Sequence, residues 1–431
     1  MTKKITNIFD ELFTRELSSD FLKKSNIKSF EMRSLPKDYE VEDYIPPKYQ
    51  LRNLFGKKGK PFSESIGTHP DFIGKEEIWE KQYICSLFLD ISGSTKLGLK
   101  LSLEDVRLIK NAVLTSAIEI FQVFDGHIHR LQGDAVFAYF GHKNMTKSEA
   151  IVNALNAASL MQSYNKNTLN EFFDNNNLPL LKIRIGIDIG DDNQVFWSSF
   201  GIDGIQEITT TSIHTDLAAK LQSKASVNSI LIGENIYNYL DLPEEFLRIK
   251  KITVDKKLKD DKYIIQDSES KTSYQMKVFD WEKYLNSFSF LPKEEKERYT
   301  SPKDFEIICS YNNDEMTEMK EYKSNTNVLP KNQYLKFQLI LKGVLQVVKP
   351  AKITWQILNR GKEALEANSL SADMDSFKNN YICNQSTAYN GHHYMICKIY
   401  DSQSNIIGQD RFGLFINDEK IEMKKLGVED D

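Results

Sequence analysis

Phe88-Leu89-Asp90-Ile91-Ser92-Gly93-Ser94-Thr95 is the stretch from which the rest of this 431-residue chain can be read. Residues 83–89 form a short, β-rich apolar run, the pattern of a buried strand, and the run ends in Asp90. A glycine and two hydroxyl residues then open the next element. Backbone N–H groups at such a turn can cradle phosphate oxygens. Working outward, Ser102-Leu-Glu-Asp105 reads as a helix start with a capping box. Val106, Ile109, Val113, Ala117, Ile120 and Phe124 then recur at helical spacing until Asp125-Gly126 turns the chain. Residues 127–131 and 135–140 read as two short strands around Gln132-Gly133-Asp134, a hairpin. Thr146-Lys-Ser-Glu149 caps a second helix, and residues 182–190 alternate, with Ile183, Ile185, Ile187 and Ile189 on one face. A strand near 205–211, a helix over 213–223 and a strand over 229–232 follow. The β-α-β-β-α-β order predicts an α+β, ferredoxin-like domain with extra elements at its end.

The flanking regions read differently. Residues 1–78 carry one expected helix near 5–24 and then a Pro- and Gly-punctuated stretch, the pattern of an arm or a dimer wrap. The α+β domain is expected over 79–250, a charged linker over 251–304, an all-β domain over 305–418 and a charged tail over 419–431. In the all-β part Leu335, Phe337 and Leu339 alternate, as do Ile353, Trp355 and Ile357, and Phe412, Leu414 and Ile416. Turn signals at Asn359-Arg-Gly361 and Asn390-Gly391 separate them, so a small β-sandwich is expected. Trp355 is expected in its core, and His392-His393 in a loop.

The net charge of −5 carries both signs interspersed, which gives no basic field to recommend nucleic acid as a partner. No run of eighteen apolar residues occurs, so no membrane span is expected. Cys85, Cys309, Cys383 and Cys397 form no CxxC pair and each lies in an apolar stretch. They are expected as buried free thiols in a reducing cytoplasm.

Asp90 and Asp134, 44 residues apart, carry the chemistry. In the predicted order the strand ending in Asp90 lies beside the hairpin carrying Asp134, so the two carboxylates converge. Carboxylate oxygens are hard ligands suited to Mg²⁺ or Mn²⁺. Two ions held by two aspartates are what phosphoryl displacement needs. Either motif alone is common as a helix cap or a turn; their combination in this order points to function. His127 and His129, flanking the hairpin, are expected to be solvent-facing strand residues rather than ligands.

Over about residues 80–250 the sequence resembles the class III adenylyl and guanylyl cyclase family. The match runs through Asp90–Thr95, Asp134, Arg184-Ile-Gly-Ile-Asp-Ile-Gly190 and Thr215-Asp-Leu-Ala-Ala-Lys-Leu221. The resemblance implies a head-to-tail homodimer with active sites shared between two chains. It implies metal ligation of two ions by Asp90, Asp134 and the Ile91 carbonyl, and phosphate binding by Gly93, Ser94 and Thr95. Arg184 falls where the family contacts phosphates. The family's transition-state asparagine falls on Asp216 and its arginine on Lys220, which donates as a point charge without a bidentate fork. The base-reading positions fall on Arg130 and near Thr209, so the residue pairs expected for adenine and for guanine are both absent. An arginine there can donate to a pyrimidine carbonyl.

The all-β tail resembles the sensor-type domain of prokaryotic anti-phage cyclases through Ile353-Thr-Trp-Gln-Ile-Leu-Asn-Arg-Gly-Lys-Glu-Ala364 and the late strand over 410–416, and His69-Pro-Asp-Phe72 adds to it. The whole chain thus resembles the Pycsar pyrimidine cyclases. That implies conversion of CTP or UTP to cyclic CMP or cyclic UMP, a messenger that activates a partner effector. Three rivals stay open on the residues: an adenylate cyclase with an unusual pocket, a catalytically inactive nucleotide-binding regulator kept alive by Asp216 and Lys220, and a purely structural interaction protein that tight Mn²⁺-dependent triphosphate binding would exclude.

Overall fold

A computed structural model describes residues 8–10, 47–175, 177–202, 204–269, 271–291, 305–313, 318–347, 349–374 and 380–426. The chain divides into two units: Lys3–Lys143 with Ala154–Ile232, and Met1–Thr2 with Asn144–Asn153 and Gly233–Asp431. Most of the helix expected near 5–24 lies outside the described residues.

The first unit is organised by strand β2 (Ile84–Ile91), preceded by helix α1 (Pro47–Leu54) and the short strand β1 (Trp79–Lys81). One turn of helix, α2 (Ser94–Leu97), and the long α3 (Leu103–Val123) lead to β3 (His127–Gln132) and β4 (Ala135–Phe140). Helix α4 (Lys147–Tyr164), whose residues from 154 on belong here, is followed by α5 (Asn170–Asn175) and β5 (Ile183–Gly190). The hairpin β6 (Phe196–Ile202) and β7 (Ile205–Thr211), helix α6 (Ile213–Lys224) and β8 (Ser229–Gly233) complete the unit. The sheet order is β8-β5-β2-β4-β3, antiparallel at every pair but β5–β8. Strand alternation divides β2 between two faces. Cys85, Leu87, Leu89 and Ile91 are buried with Ile183, Ile185, Ile187 and Ile189 of β5, while Ser86, Phe88 and Asp90 share the other face. Helix α3 packs on β3 and β4, and α6 packs on β5 and β2.

Residues 47–78, expected as an arm, fold onto this unit. Arg52 is buried and donates to the Gln122 and Val123 carbonyls at 3.0 and 2.9 Å and to Asp125 at 2.8 Å, a cation closing the C-terminus of α3. Phe72 and Ile78 join Ile84, Tyr139, Val195, Trp197 and Ile208 in one buried cluster.

In the second unit the stretch expected as a linker carries regular structure. Strand β9 (Leu247–Arg248) is followed by a two-stranded ribbon, β10 (Lys250–Val254) and β11 (Lys257–Asp261). Then come β12 (Tyr263–Asp267), β13 (Thr272–Phe279) and a helix over Trp281–Asn286. The dense lysines that made this stretch look unstructured sit on exposed ribbon positions, where a charge costs a strand nothing. From residue 305 two sheets, of four and five strands, share one cluster of buried side chains that includes Phe337, Trp355, Cys397 and Phe412. His392 and His393, expected in a loop, lie buried on the strand Gly391–Tyr400. The four cysteines are buried and free, as expected. Part of the expected tail is anchored: Glu419 accepts from the backbone of Lys147 and Ser148 at 3.1 and 3.0 Å, capping the start of α4, and from the Tyr239 hydroxyl at 2.9 Å. No helix among the described residues is long and apolar enough to cross a membrane.

Candidate active site

The hairpin between β3 and β4 closes through Gly133-Asp134, with Gln132 opposite Ala135. Only Gly133 of the two has a positive φ, 66°. A two-residue loop with a positive first central φ is a type II′ turn, which favours glycine there. Asp134 therefore sits at the second turn position. Its carboxyl stands close enough to the Asp90 carboxyl, near the end of β2, to push that carboxyl upward. At the other side of Asp90, Gly93 adopts the left-handed conformation at φ 77°, bending the chain so that Ser94 and Thr95 open α2.

Asp90 lies directly opposite Arg184 on the antiparallel neighbour β5, so their side chains share a face. Arg184 donates to Asp90 Oδ2 at 2.5 Å and to the Ser223 carbonyl at 3.2 Å. Gln222 of α6 donates to the same Asp90 oxygen at 3.3 Å. That contact depends on Gly186: a Cβ there would lie 2.1 Å from the Gln222 nitrogen and 2.3 Å from the Ala218 carbonyl, so only glycine lets α6 approach β5 this closely. Burial lifts the Asp90 carboxyl above the ordinary carboxylate range. The Asp134 carboxyl pushes it the same way, and Arg184 opposes both.

Asp134 Oδ2 is buried without a hydrogen-bond partner, and the nearest ammonium, Lys110 Nζ, stands 4.0 Å from Oδ1. A buried acceptor left without a donor, beside a second carboxylate that burial and repulsion disfavour as an anion, is a donor set that fits a divalent cation. Among the described residues no group of three or more His, Cys, Asp and Glu side chains gathers to hold a metal. The pair fits the pattern in which Mg²⁺ takes one or two carboxylates and completes its shell with water and substrate phosphates.

A second cluster forms around Arg130. The β3–β4 register shifts between Ile128 and Arg130, so Arg130 rather than His129 pairs with Phe137. This bulge turns Arg130 onto the face where Phe137 stacks on Phe88 at 4.1 Å between ring centroids. Arg130 is ion-paired with Glu207 of β7. Thr209, two residues further along the same strand face, lies 3.4 Å from the Tyr139 hydroxyl. A chain of hydroxyls, Tyr139–Thr210–Thr215–Ser86, spaced at 3.0, 3.2 and 3.0 Å, leads from here under α6. His127 and His129, expected to face solvent, are buried because residues 63–67 cover them. The Gly67 carbonyl accepts from His127 Nε2 at 2.8 Å and from His129 Nδ1 at 3.0 Å.

The structure thus brings Asp90, Asp134 and Arg184 together, and pairs Arg130 with Glu207, two residues before Thr209 on the same strand. Asp216 and Lys220 stand exposed on α6. Sequence reasoning missed Gln222, Glu207 and Lys110. Helix geometry could have found Gln222: two residues past Lys220 is a rotation of about 200°, which places it on the opposite, inward face. Alternation could have found Glu207, two residues before Thr209.

A family model described as the adenylyl/guanylyl and SMODS C-terminal sensor domain matches residues 279–417. A cytidylate cyclase of Staphylococcus aureus is 51% identical over 425 residues, spanning 98% of this chain and 99% of that one. A cytidylate cyclase of Escherichia coli is 32% identical over 410 residues, 88% of this chain and 83% of that one. Among solved structures, the adenylyl cyclase CyaB from P. aeruginosa aligns over 47% of this chain and 95% of its own, at 21% identity and a TM-score of 0.39. Both relatives are cytidylate cyclases by name. The chain belongs to the cytidylate cyclase family.

Proposed function

We propose that the protein converts CTP to 3′,5′-cyclic CMP and diphosphate. The observation that carries this reading is the meeting of Asp90 and Asp134, with an orphaned carboxylate oxygen, in a chain half identical to a cytidylate cyclase from end to end. Asp90, Asp134 and the Ile91 carbonyl would hold two Mg²⁺ or Mn²⁺ ions. Bound there, the ions supply positive charge that activates the 3′-oxygen and offsets charge on the α-phosphate and the departing diphosphate. Arg184 and Gln222 fix the orientation of the Asp90 carboxylate. Gly93, Ser94 and Thr95 bind phosphate oxygens, and Arg130 and Thr209 face the base. Lys220 and Arg184 offset charge that grows on the phosphates in the transition state, and Asp216 orients the substrate beside them.

The antiparallel strand order β5-β2-β4-β3, with helix α3 leading from β2 to β3 and helix α4 lying between β4 and β5, supports a ferredoxin-like reading of this unit. The shared cluster between the two C-terminal sheets supports a sandwich-like sensor domain. Lys220 and Gln222 point to opposite faces of α6, so a chain's own Lys220 is turned from its own Asp90. That arrangement supports a homodimer in which each site is completed by the second copy. The product would serve as a messenger in anti-phage defence, activating a partner effector, and the sensor-domain match supports the regulatory side of that reading.

The test is incubation of purified protein with Mn²⁺ and each of ATP, GTP, CTP and UTP, with products identified by mass. Cyclic CMP from CTP is expected. A cyclic purine as the main product, or no cyclic product from any of the four, overturns the reading.

A further inference from the structure

We propose that Glu207 selects cytosine against uracil by accepting from the exocyclic N4 amino group while Arg130 donates to the ring edge beside it. The inference rests on the reading of Arg130 as a base-facing residue and deepens it. The bulge at His129 brings Arg130 onto the site face, and Glu207 pairs with it from β7. Both side chains remain about half exposed, at 47% and 45%, so a ligand can reach them.

Glu207 has acceptor capacity to spare. Its Oε1 faces His129 Nε2 at 3.4 Å, but that nitrogen makes no hydrogen bond. The reason lies in the tautomer. His129 Nδ1 donates to the Gly67 carbonyl, which can only accept, so a neutral imidazole presents a lone pair at Nε2. Burial holds His129 toward its neutral form. Glu207 Oε1 therefore gains no donor from its neighbour, and Arg130 occupies Oε2 alone.

A carboxylate beside a guanidinium presents an acceptor next to donors. Cytosine offers the complement along one edge: the N4 amino donor, then N3 and O2 as acceptors. Uracil reverses the first two positions, with an O4 acceptor and an N3–H donor. Its O4 would face the Glu207 oxygen, and its N3–H would face an Arg130 N–H. A correctly paired bidentate contact discriminates between bases by roughly tenfold to a hundredfold. Thr209, whose hydroxyl can donate or accept, cannot supply that sign.

The experiment is a competition. Wild type, Glu207→Gln and Glu207→Ala are each given equimolar CTP and UTP with Mn²⁺, and the ratio of cyclic CMP to cyclic UMP is read by mass, with thermal unfolding checking each fold. Wild type should favour cyclic CMP. Both variants should lower the ratio by at least about tenfold, the glutamine because its amide can turn either end toward the base. If Glu207 only holds Arg130 in place, both products fall together and the ratio stays at its wild-type value, which overturns the proposal. Wild-type protein that makes no cyclic pyrimidine overturns the cyclase reading and takes this proposal with it.

Discussion

Two arginines of the first unit are each held by one carboxylate, and they differ in how much water reaches them. Arg184 and Asp90 are 26% and 20% exposed and lie directly opposite on paired strands, with Gln222 as a further donor. Arg130 and Glu207 are 47% and 45% exposed and meet across a bulge. The first pair is fixed by sheet register and a helix packed onto it, which would suit the metal-ligand role proposed for Asp90. The second is open to solvent, which would leave both side chains within reach of a base, the role proposed for them. The difference separates residues whose loss is felt in folding from residues whose loss is felt in selectivity.

The comparison breaks most strongly at Gly186. Gly186→Ala drives a methyl group into the α6 backbone, and about 1–3 kcal/mol of stability should be lost. Turnover should fall as well, because Gln222 is displaced from Asp90; unfolding curves and initial rates together check this. Arg184→Met leaves the half-buried Asp90 without its strongest donor. A loss of about 1–2 kcal/mol is expected, measured by denaturant unfolding without added metal. Glu207→Ala removes an exposed ion pair and should cost less than about 1 kcal/mol in the same assay. A stability loss at Glu207 as large as that at Arg184 would erase the distinction.

A pH effect tests the buried histidines His69 and His127. Burial pushes His69 down to about 3 and His127 down to about 4. In the unfolded chain both take up protons near 6.5, so between about pH 6.5 and 4 the unfolded state binds more protons than the folded one. Stability should therefore fall as pH drops through that window. Melting temperatures at pH 7.5 and 5 check it, and equal values would mean the histidines are already solvated.

Asp90 and Asp134 were legible because each is fixed by local sequence: a strand end, and a glycine whose turn type leaves few alternatives. That the strand carrying Asp90 lies beside the hairpin carrying Asp134 followed from the order of elements, and β2 pairs with β4. Arg130 was legible only through family resemblance, since the bulge that aims it has no glycine to announce it. The burial of His127 and His129 was hidden because the cover, Gly67 and its neighbours, lies sixty residues away in sequence. Residues 251–260 were read as linker because their charges signal solvent exposure, which an isolated ribbon and a linker share. The anchoring of Glu419 was invisible for a related reason: a charged tail shows no sign of the helix start it will cap.

The most direct test of the central claim is cyclic CMP formation by Asp134→Asn beside wild type. The substitution keeps the side chain's shape and removes the repulsion against Asp90, so the metal-free variant should melt no lower than wild type. Turnover should fall by at least about a hundredfold, the scale of losing one charge-stabilising group in a transition state. A folded Asp134→Asn that makes cyclic CMP at the wild-type rate would contradict the account.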